Sequence, residues 1–370
     1  MLLDSIKKIT GILIGKIKEV ELGEPNFADS RYINQPFDKD NFKTFNLADN
    51  GRKIAFIDGG NLEILSAPNF SISLIRIYFN IFKNNKRIIP KNIPSKMELF
   101  SISSSRPENG KILYETNIIP VDEKFSEFLP EEKHLCFDSF DPTIVYGNKF
   151  RANISTIGSV VRRFAEWNYS SFIIEKELEE GDMIVRDGTL QTAVTNEARY
   201  SDKAYASAEK YNVIFSALAK TSTLFTSTGL SLIAAVRKLS ETNGLKDKCW
   251  FYYPIVKNMH PDHKAEIYAC KLHENSKHVF RFEIYRKQAE ALKHESIKEI
   301  FQSLANNSND LSFLGYPYGF IDADKFARVS YSELNTLKAL LQSELSKNGL
   351  WEEVSKYIST ENVHDILNII

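Results

Sequence analysis

Cysteine is scarce: Cys136, Cys249 and Cys270 are the only three in 370 residues. They are scattered and odd in number, which argues against a disulfide framework, and no CxxC pair or Cys/His ladder offers a structural zinc site. Free thiols suit a reducing cytoplasm, the expected location. Long apolar runs are missing too, and no segment approaches the roughly 20 residues that cross a bilayer. Net charge is nearly absent, at −1 from 47 basic and 48 acidic residues. A protein that grips nucleic acid with its whole surface is usually basic, so any such contact here has to use a local groove or a partner's help. No internal repeat and no long low-complexity tail is found.

What is present is a large apolar supply. The hydrophobic fraction is 43%, and 25 Phe with 16 Tyr can fill a substantial core, so disorder is not expected. The length suits one large domain or two small ones. Near the N-terminus, residues 9–15 are apolar, but Asp4 precedes them, Lys16 and Lys18 follow, and no small-residue cleavage site appears. A helix is expected instead, with Ile6, Ile9, Leu13, Ile17 and Val20 on one stripe. That stripe packs either on its own domain or on a partner.

Further along, residues 53–57 read as a short buried strand stopping at Asp58-Gly59-Gly60. Runs at 62–66 and 71–79 complete an expected three-stranded antiparallel meander. Residues 84–150, rich in Asn and Pro, read as a variable insertion outside the core. A helix is expected over 157–180, then a strand over 182–186 that again stops at an acid and a glycine, Asp187-Gly188. A strand at 213–219, a helix at 230–239, strands at 250–256, 266–272 and 278–285, and helices at 288–305 and 332–346 follow. The run Trp250-Phe251-Tyr252-Tyr253 could stack bases, but as a strand among strands it reads as core.

The chemistry-bearing pattern is the pair of apolar strands that each end in Asp-Gly. An Asp at a strand end is partly shielded, and the following glycine permits a sharp turn and close approach of a substrate. Two such acids on adjacent strands would hold hard divalent cations, magnesium or manganese, which can clamp a phosphate. Asp-Gly also simply makes good turns. The order meander, helix, strand, helix is that of an RNase H-like core, an α/β fold with a mixed sheet, flanking helices and the variable insertion. His260 and His263 have HxxH spacing, but Pro261 between them disfavours the continuous helix a paired metal site needs.

Three segments in order, Phe56-Ile57-Asp58-Gly59-Gly60, Val185-Arg186-Asp187-Gly188-Thr189-Leu190, and Gly315-Tyr316-Pro317-Tyr318 running into Asp322-Ala323-Asp324, resemble the signatures of NurA nucleases. The resemblance spans about 50–330. It implies a nuclease core over 50–330 with the insertion at about 84–150, an N-terminal helix and linker over 1–49, and C-terminal helices over 331–370. It further implies a manganese- or magnesium-dependent deoxyribonuclease, acting as a 5′–3′ exonuclease, a single-strand endonuclease or both. A homodimer working on DNA with a HerA-type hexameric ATPase in DNA end resection is implied as well.

Carried over residue by residue, Asp58 and Asp187 would be metal ligands. Glu166 is the candidate third carboxylate on the preceding helix, with Glu175 and Glu177 as lesser candidates. Its helical phase is opposite the stripe of Ile157, Val161 and Phe164, so it is expected to face a cleft. Lys220 would hold a phosphate, helped by Thr221 and Ser222, and Tyr316 is retained. Where the family pattern has a His, this chain has Asp324, which can bind metal but cannot shuttle protons near neutral pH as an imidazole does; Asp322 is the alternative ligand nearby. That departure keeps open a catalytically inactive DNA-binding or scaffold subunit. An RNA-directed nuclease related to Argonaute is a further alternative, though no guide-end module is visible.

Overall fold

The chain divides into two units in the computed structural model, which describes residues 1–18, 21–145, 147 and 150–358. The first unit comprises residues 1–48, 188–190 and 218–315; the second comprises 49–187, 191–217 and the chain from 316 onward.

The first unit begins with α1 (Leu2–Lys18), then β1 (Pro25–Asn26), β2 (Tyr32–Asn34) and β3 (Phe42–Phe45). The expected apolar stripe forms, but it does not pack on its own domain. Ile6, Ile9, Leu13 and Ile17 are all exposed, between 49% and 66%. Val20 lies outside the described residues.

In the second unit, β4 (Lys53–Ala67) and β5 (Phe70–Lys83) form one long antiparallel hairpin. The chain continues through β6 (Lys86–Ile88), β7 (Lys96–Glu108), β8 (Lys111–Pro120), β9 (Phe137–Asp138), α2 (Thr156–Glu177), β10 (Met183–Asp187), α3 (Glu197–Lys210) and β11 (Ile214–Ala219). The sheet order is β11-β10-β4-β5-β7-β8-β9, with β6 beside β5. Strand β10 runs parallel to β4, and β4, β5, β7 and β8 are mutually antiparallel neighbours. The fold class is thus the expected α/β with a mixed sheet.

Two expectations about this unit change. Strand β4 does not stop at Asp58 but runs on through both glycines, because it has a partner on β5 along its whole length. The stretch read as an insertion also builds the sheet: its β7 and β8 supply 13 and 10 residues. Polar residues such as Ser101, Ser103 and Thr116 hid them, yet these pair across the strands, with Ser103 and Thr116 hydroxyls 2.9 Å apart.

The first unit resumes with β12 (Phe225–Thr226), α4 (Leu232–Thr242), β13 (Cys249–Tyr252), β14 (Val256–Asn258), β15 (Ala265–Lys271), β16 (Phe280–Tyr285), α5 (Arg286–Ala291) and α6 (His294–Asn306). Strands β3, β13, β15 and β16 are antiparallel neighbours. Trp250, Phe251 and Tyr252 are core, at 0–2% exposure, with Phe251 stacked 4.4 Å from Phe301. The second unit closes with α7 (Tyr318–Ala327), α8 (Tyr331–Lys347) and α9 (Trp351–Ile358). No helix among the described residues is long and apolar enough to cross a membrane, and the three cysteines form no disulfide.

Candidate catalytic site

The buried Asp182 carboxylate accepts the backbone N–H of Lys53 at 3.0 Å and that of Glu179 at 2.9 Å. This ties the start of β4 to the start of β10. From there the two parallel strands advance together, with Met183 beside Ile54 and Arg186 beside Ile57. One more step of the same register sets Asp187 beside Asp58. Parallel strands rise equally per residue and alternate their faces, so both carboxylates leave the sheet on one side. That side is covered by α7: a side chain on Gly319 would strike the Phe56 ring, and one on Gly60 would strike the Ala327 carbonyl. Asp58 is 6% exposed and Asp187 half-buried.

The glycines are therefore needed for close packing within β4 rather than for a turn. A Cβ at Gly59 would lie 2.5 Å from Glu166 Oε1 and 3.0 Å from Arg162 Cγ. Gly188 is different: its φ of +98° after Asp187 is a conformation that side-chain-bearing residues rarely adopt.

Glu166 reaches Gly59 from α2, on the face of the sheet opposite Asp58 and Asp187, and is buried rather than facing an open cleft. Its side of the helix also carries Gly158, against Ser73, and Tyr169, which meets Phe79 edge-on at 5.8 Å. The stripe of Ile157, Val161 and Phe164 meets α3, where Phe164 lies 5.0 Å from Tyr200. Both Glu166 oxygens are held by arginines: Arg162 donates to Oε1, and Arg186 donates to Oε2 at 2.9 Å. The Arg186 guanidinium also lies 4.1 Å over the Trp167 ring. The Trp167 indole N–H in turn donates to Glu197 at 2.8 Å. Neither arginine stood out as a candidate, although Arg162 is one helical turn before Glu166 and Arg186 adjoins Asp187. The Glu166 charge holds the Arg162 guanidinium above its ordinary pKa; burial opposes this, and the Asp58 and Asp187 charges add to it.

Tyr316 is 3% exposed and stacks on Phe320. Burial, followed by the charges of Asp187, Asp58 and Asp324, pushes its hydroxyl well above the ordinary tyrosine value. These four residues share one electrostatic neighbourhood. Asp324 is partly exposed and paired to Arg328 at 2.8 Å. Asp322 is unsuited to be its substitute, because it accepts the Asn80 amide at 2.8 Å and pairs with Arg87. The lesser candidates are structural: Glu175 accepts the Ser207 hydroxyl, and Glu177 accepts the N–H groups of Lys91, Asn92 and Ile93.

Asp58, Glu166, Asp187, Tyr316 and Asp324 all belong to the second unit, whereas Lys220, exposed directly after β11, belongs to the first. His263, also in the first unit, is no metal ligand. Its Nε2 lies 3.0 Å from Glu283 and its Nδ1 2.8 Å from the Tyr32 hydroxyl.

Among the described residues no three or more His, Cys, Asp or Glu side chains stand arranged as a metal cage. The expected ligand set of Asp58, Glu166, Asp187 and Asp324 is thus not assembled, because arginines hold Glu166 and Asp324. What does fit a hard divalent cation is the in-register pair Asp58 and Asp187. Magnesium is commonly held by one or two carboxylates, with water and substrate phosphate completing its shell.

No protein-family model and no curated protein matches this chain. The structure of the NurA nuclease from Sulfolobus solfataricus does, with a TM-score of 0.51 at 16% identity, covering 94% of this chain and 96% of that one. The fold is the NurA fold. A second NurA structure aligns at TM-score 0.43 and 10% identity over 91% of this chain and 97% of its own. Argonaute from Aquifex aeolicus aligns at TM-score 0.27 and 9% identity over 75% of this chain and 28% of its own. At such identities the NurA likeness is one of fold, and the chemistry is read from the side chains.

Proposed function

We propose that this chain is a divalent-metal-dependent deoxyribonuclease. The observation that carries this reading is the in-register pair Asp58 and Asp187, whose charges are felt at the buried Tyr316 hydroxyl, within a NurA fold. Asp58 and Asp187 would hold manganese or magnesium. When bound there, the ion would polarise the scissile phosphate and lower the pKa of the attacking water. Tyr316, kept protonated by its surroundings, can donate a hydrogen bond to a phosphate oxygen or to that water. Asp324 can become a further oxygen donor by leaving Arg328. The wild type should cleave single- or double-stranded DNA with manganese and lose that activity in chelator. Failure to cleave, alone and with its partner, would favour a scaffold subunit.

The partner reading is a HerA-type hexameric ATPase serving DNA end resection, with this chain as a homodimer. What supports an association surface is α1, whose Ile6, Ile9, Leu13 and Ile17 are bare; apolar patches of that kind commonly mark interfaces. Removing residues 1–18 should leave a folded protein that has lost either its dimer mass in light scattering or its capture by the ATPase. Retention of both would remove this role from α1.

A further inference from the structure

Helix α7 lies along β4 rather than across it. Gly319 meets the Phe56 ring and Ala327 meets Gly60. The helix rises about 12 Å between those two residues, which matches the about 13 Å from Phe56 to Gly60 along a strand. Asp58 is therefore under the middle of α7, where Ala323 packs with Tyr78, the neighbour of Asp58 on β5. Gly319, Ala323 and Ala327 are small, so they let the helix come close but do little to fix its rotation. Directional polar contacts from the β5 flank do that. Asn80 of β5, 2% exposed, donates its amide to the Gly319 carbonyl and to Asp322 Oδ2, both at 2.8 Å. Arg87 of β6 pairs with the same Asp322 oxygen. At the far end Arg76 donates to the Arg328 carbonyl at 2.7 Å.

Asp324 is two residues beyond Asp322, about 200° around the helix axis. Asp322 is turned to β5 and β6, so Asp324 leaves α7 from the opposite flank, along β10, where Asp187 stands beside Asp58. We propose that Asp322 is a positioning residue: gripped by Asn80 and Arg87, it sets the rotation of α7 over β4 and so the reach of Asp324 toward Asp187. The inference rests on the metal-dependent reading above. A roll of about 20° would move a carboxylate about 5.5 Å from the helix axis by about 2 Å. Misplacing a reacting group by about 1 Å can cost about a hundredfold in rate. An apolar side chain at 322 would bury as well as this ion pair does, but it would not be directional.

The test compares Asp322→Ala, Arg87→Met and Arg87→Lys in manganese-dependent cleavage of a DNA oligonucleotide by the full chain, well below each melting temperature. Asp322→Ala should lower kcat about thirtyfold and Arg87→Met about tenfold, with KM for DNA within about threefold of the wild type, the pattern of a misplaced group rather than of lost binding. Arg87→Lys keeps a charge for Asp322 and should recover to within about threefold of the wild type. Hydrogen exchange without metal is the second readout. In Asp322→Ala the α7 amides should exchange about tenfold faster, while those of α2 and β10 stay as in the wild type. The Arg87 side chain is 40% exposed, so Arg87→Met carries the same test if Asp322→Ala folds poorly. Wild-type kcat or unchanged α7 exchange in a folded Asp322→Ala overturns the proposal, as does an equal loss in Arg87→Met and Arg87→Lys. Asp58→Asn separates the two readings. If it is inactive while Asp322→Ala cleaves as the wild type does, only the role of Asp322 fails. If it cleaves as the wild type does, or the wild type does not cleave with manganese, the metal-dependent reading fails and the role of Asp322 with it.

Discussion

Asp58→Asn and Asp187→Asn should each lower manganese-dependent cleavage by about a thousandfold, some 4 kcal/mol of barrier, because each removes one of two ligands. The fold should survive both changes. Asn has nearly the size of Asp, and an amide oxygen at position 58 can still accept the Gly59 N–H that Asp58 Oδ1 takes at 2.8 Å. Removing one of two neighbouring like charges also relieves repulsion, so the metal-free melting temperature should hold or rise. Initial rates in manganese and thermal melts of the same preparations read both effects. Cleavage within about tenfold of the wild type by either variant, a loss smaller than one ligand is worth, would remove that residue from the catalytic pair.

The second large effect concerns stability in the first unit. Glu283 is fully buried; Oε1 accepts Arg281 Nε at 2.6 Å, and Oε2 lies 3.0 Å from His263 Nε2 and accepts the Leu190 N–H at 2.7 Å. Glu283→Ala would strand a buried arginine and a buried histidine, and should cost about 3–5 kcal/mol. The pH dependence follows from the carboxyl's shift. Burial pushes its pKa up, but Arg281, His263 and the Leu190 N–H outweigh burial and hold it at about 2, against an ordinary 4.5. A carboxyl depressed on folding stabilises the native state fully above its unfolded pKa. That contribution is lost as pH falls from about 4.5 toward about 2. The gap in melting temperature between the wild type and Glu283→Gln should therefore be wide at neutral pH and narrow between those two values. A gap of constant width across that range would contradict the ionised, network-forming Glu283.

Several features of the site were legible in the chain before any fold was known. Short apolar runs ending in Asp58 and Asp187 marked the acids, because an acid after a buried strand is an uncommon place for charge. Helix α2 was legible through its 3.6-residue period, and the aromatic strand around Trp250 through its apolar run among other strand-like runs. The resemblance to NurA nucleases pointed to Tyr316 and to the departure at Asp324, and the fold agrees with it.

Other features depended on partners far away in sequence. Whether β4 stops at Asp58 was settled by β5, whose pairing carries the strand through Gly59 and Gly60. Strands β7 and β8 lie in a stretch punctuated by Asn, Pro and Ser, and Ser101 and Ser103 take inward positions of β7, so pairing with neighbouring strands shows what an apolar pattern did not. Glu166 was found as a carboxylate at the right place on α2, but its burial and its two arginines follow from Gly59 leaving room and from Arg186 arriving beside it. The stripe on α1 was predicted as a stripe, and only the packing shows it bare. The chain by itself determined which residues are acidic, apolar or turn-forming, since these are local properties of side chains and their spacing. The tertiary structure decided which of them meet: register set Asp187 beside Asp58, and a missing Cβ at Gly59 made room for Arg162 and Glu166 against β4, contacts that span more than a hundred residues of chain.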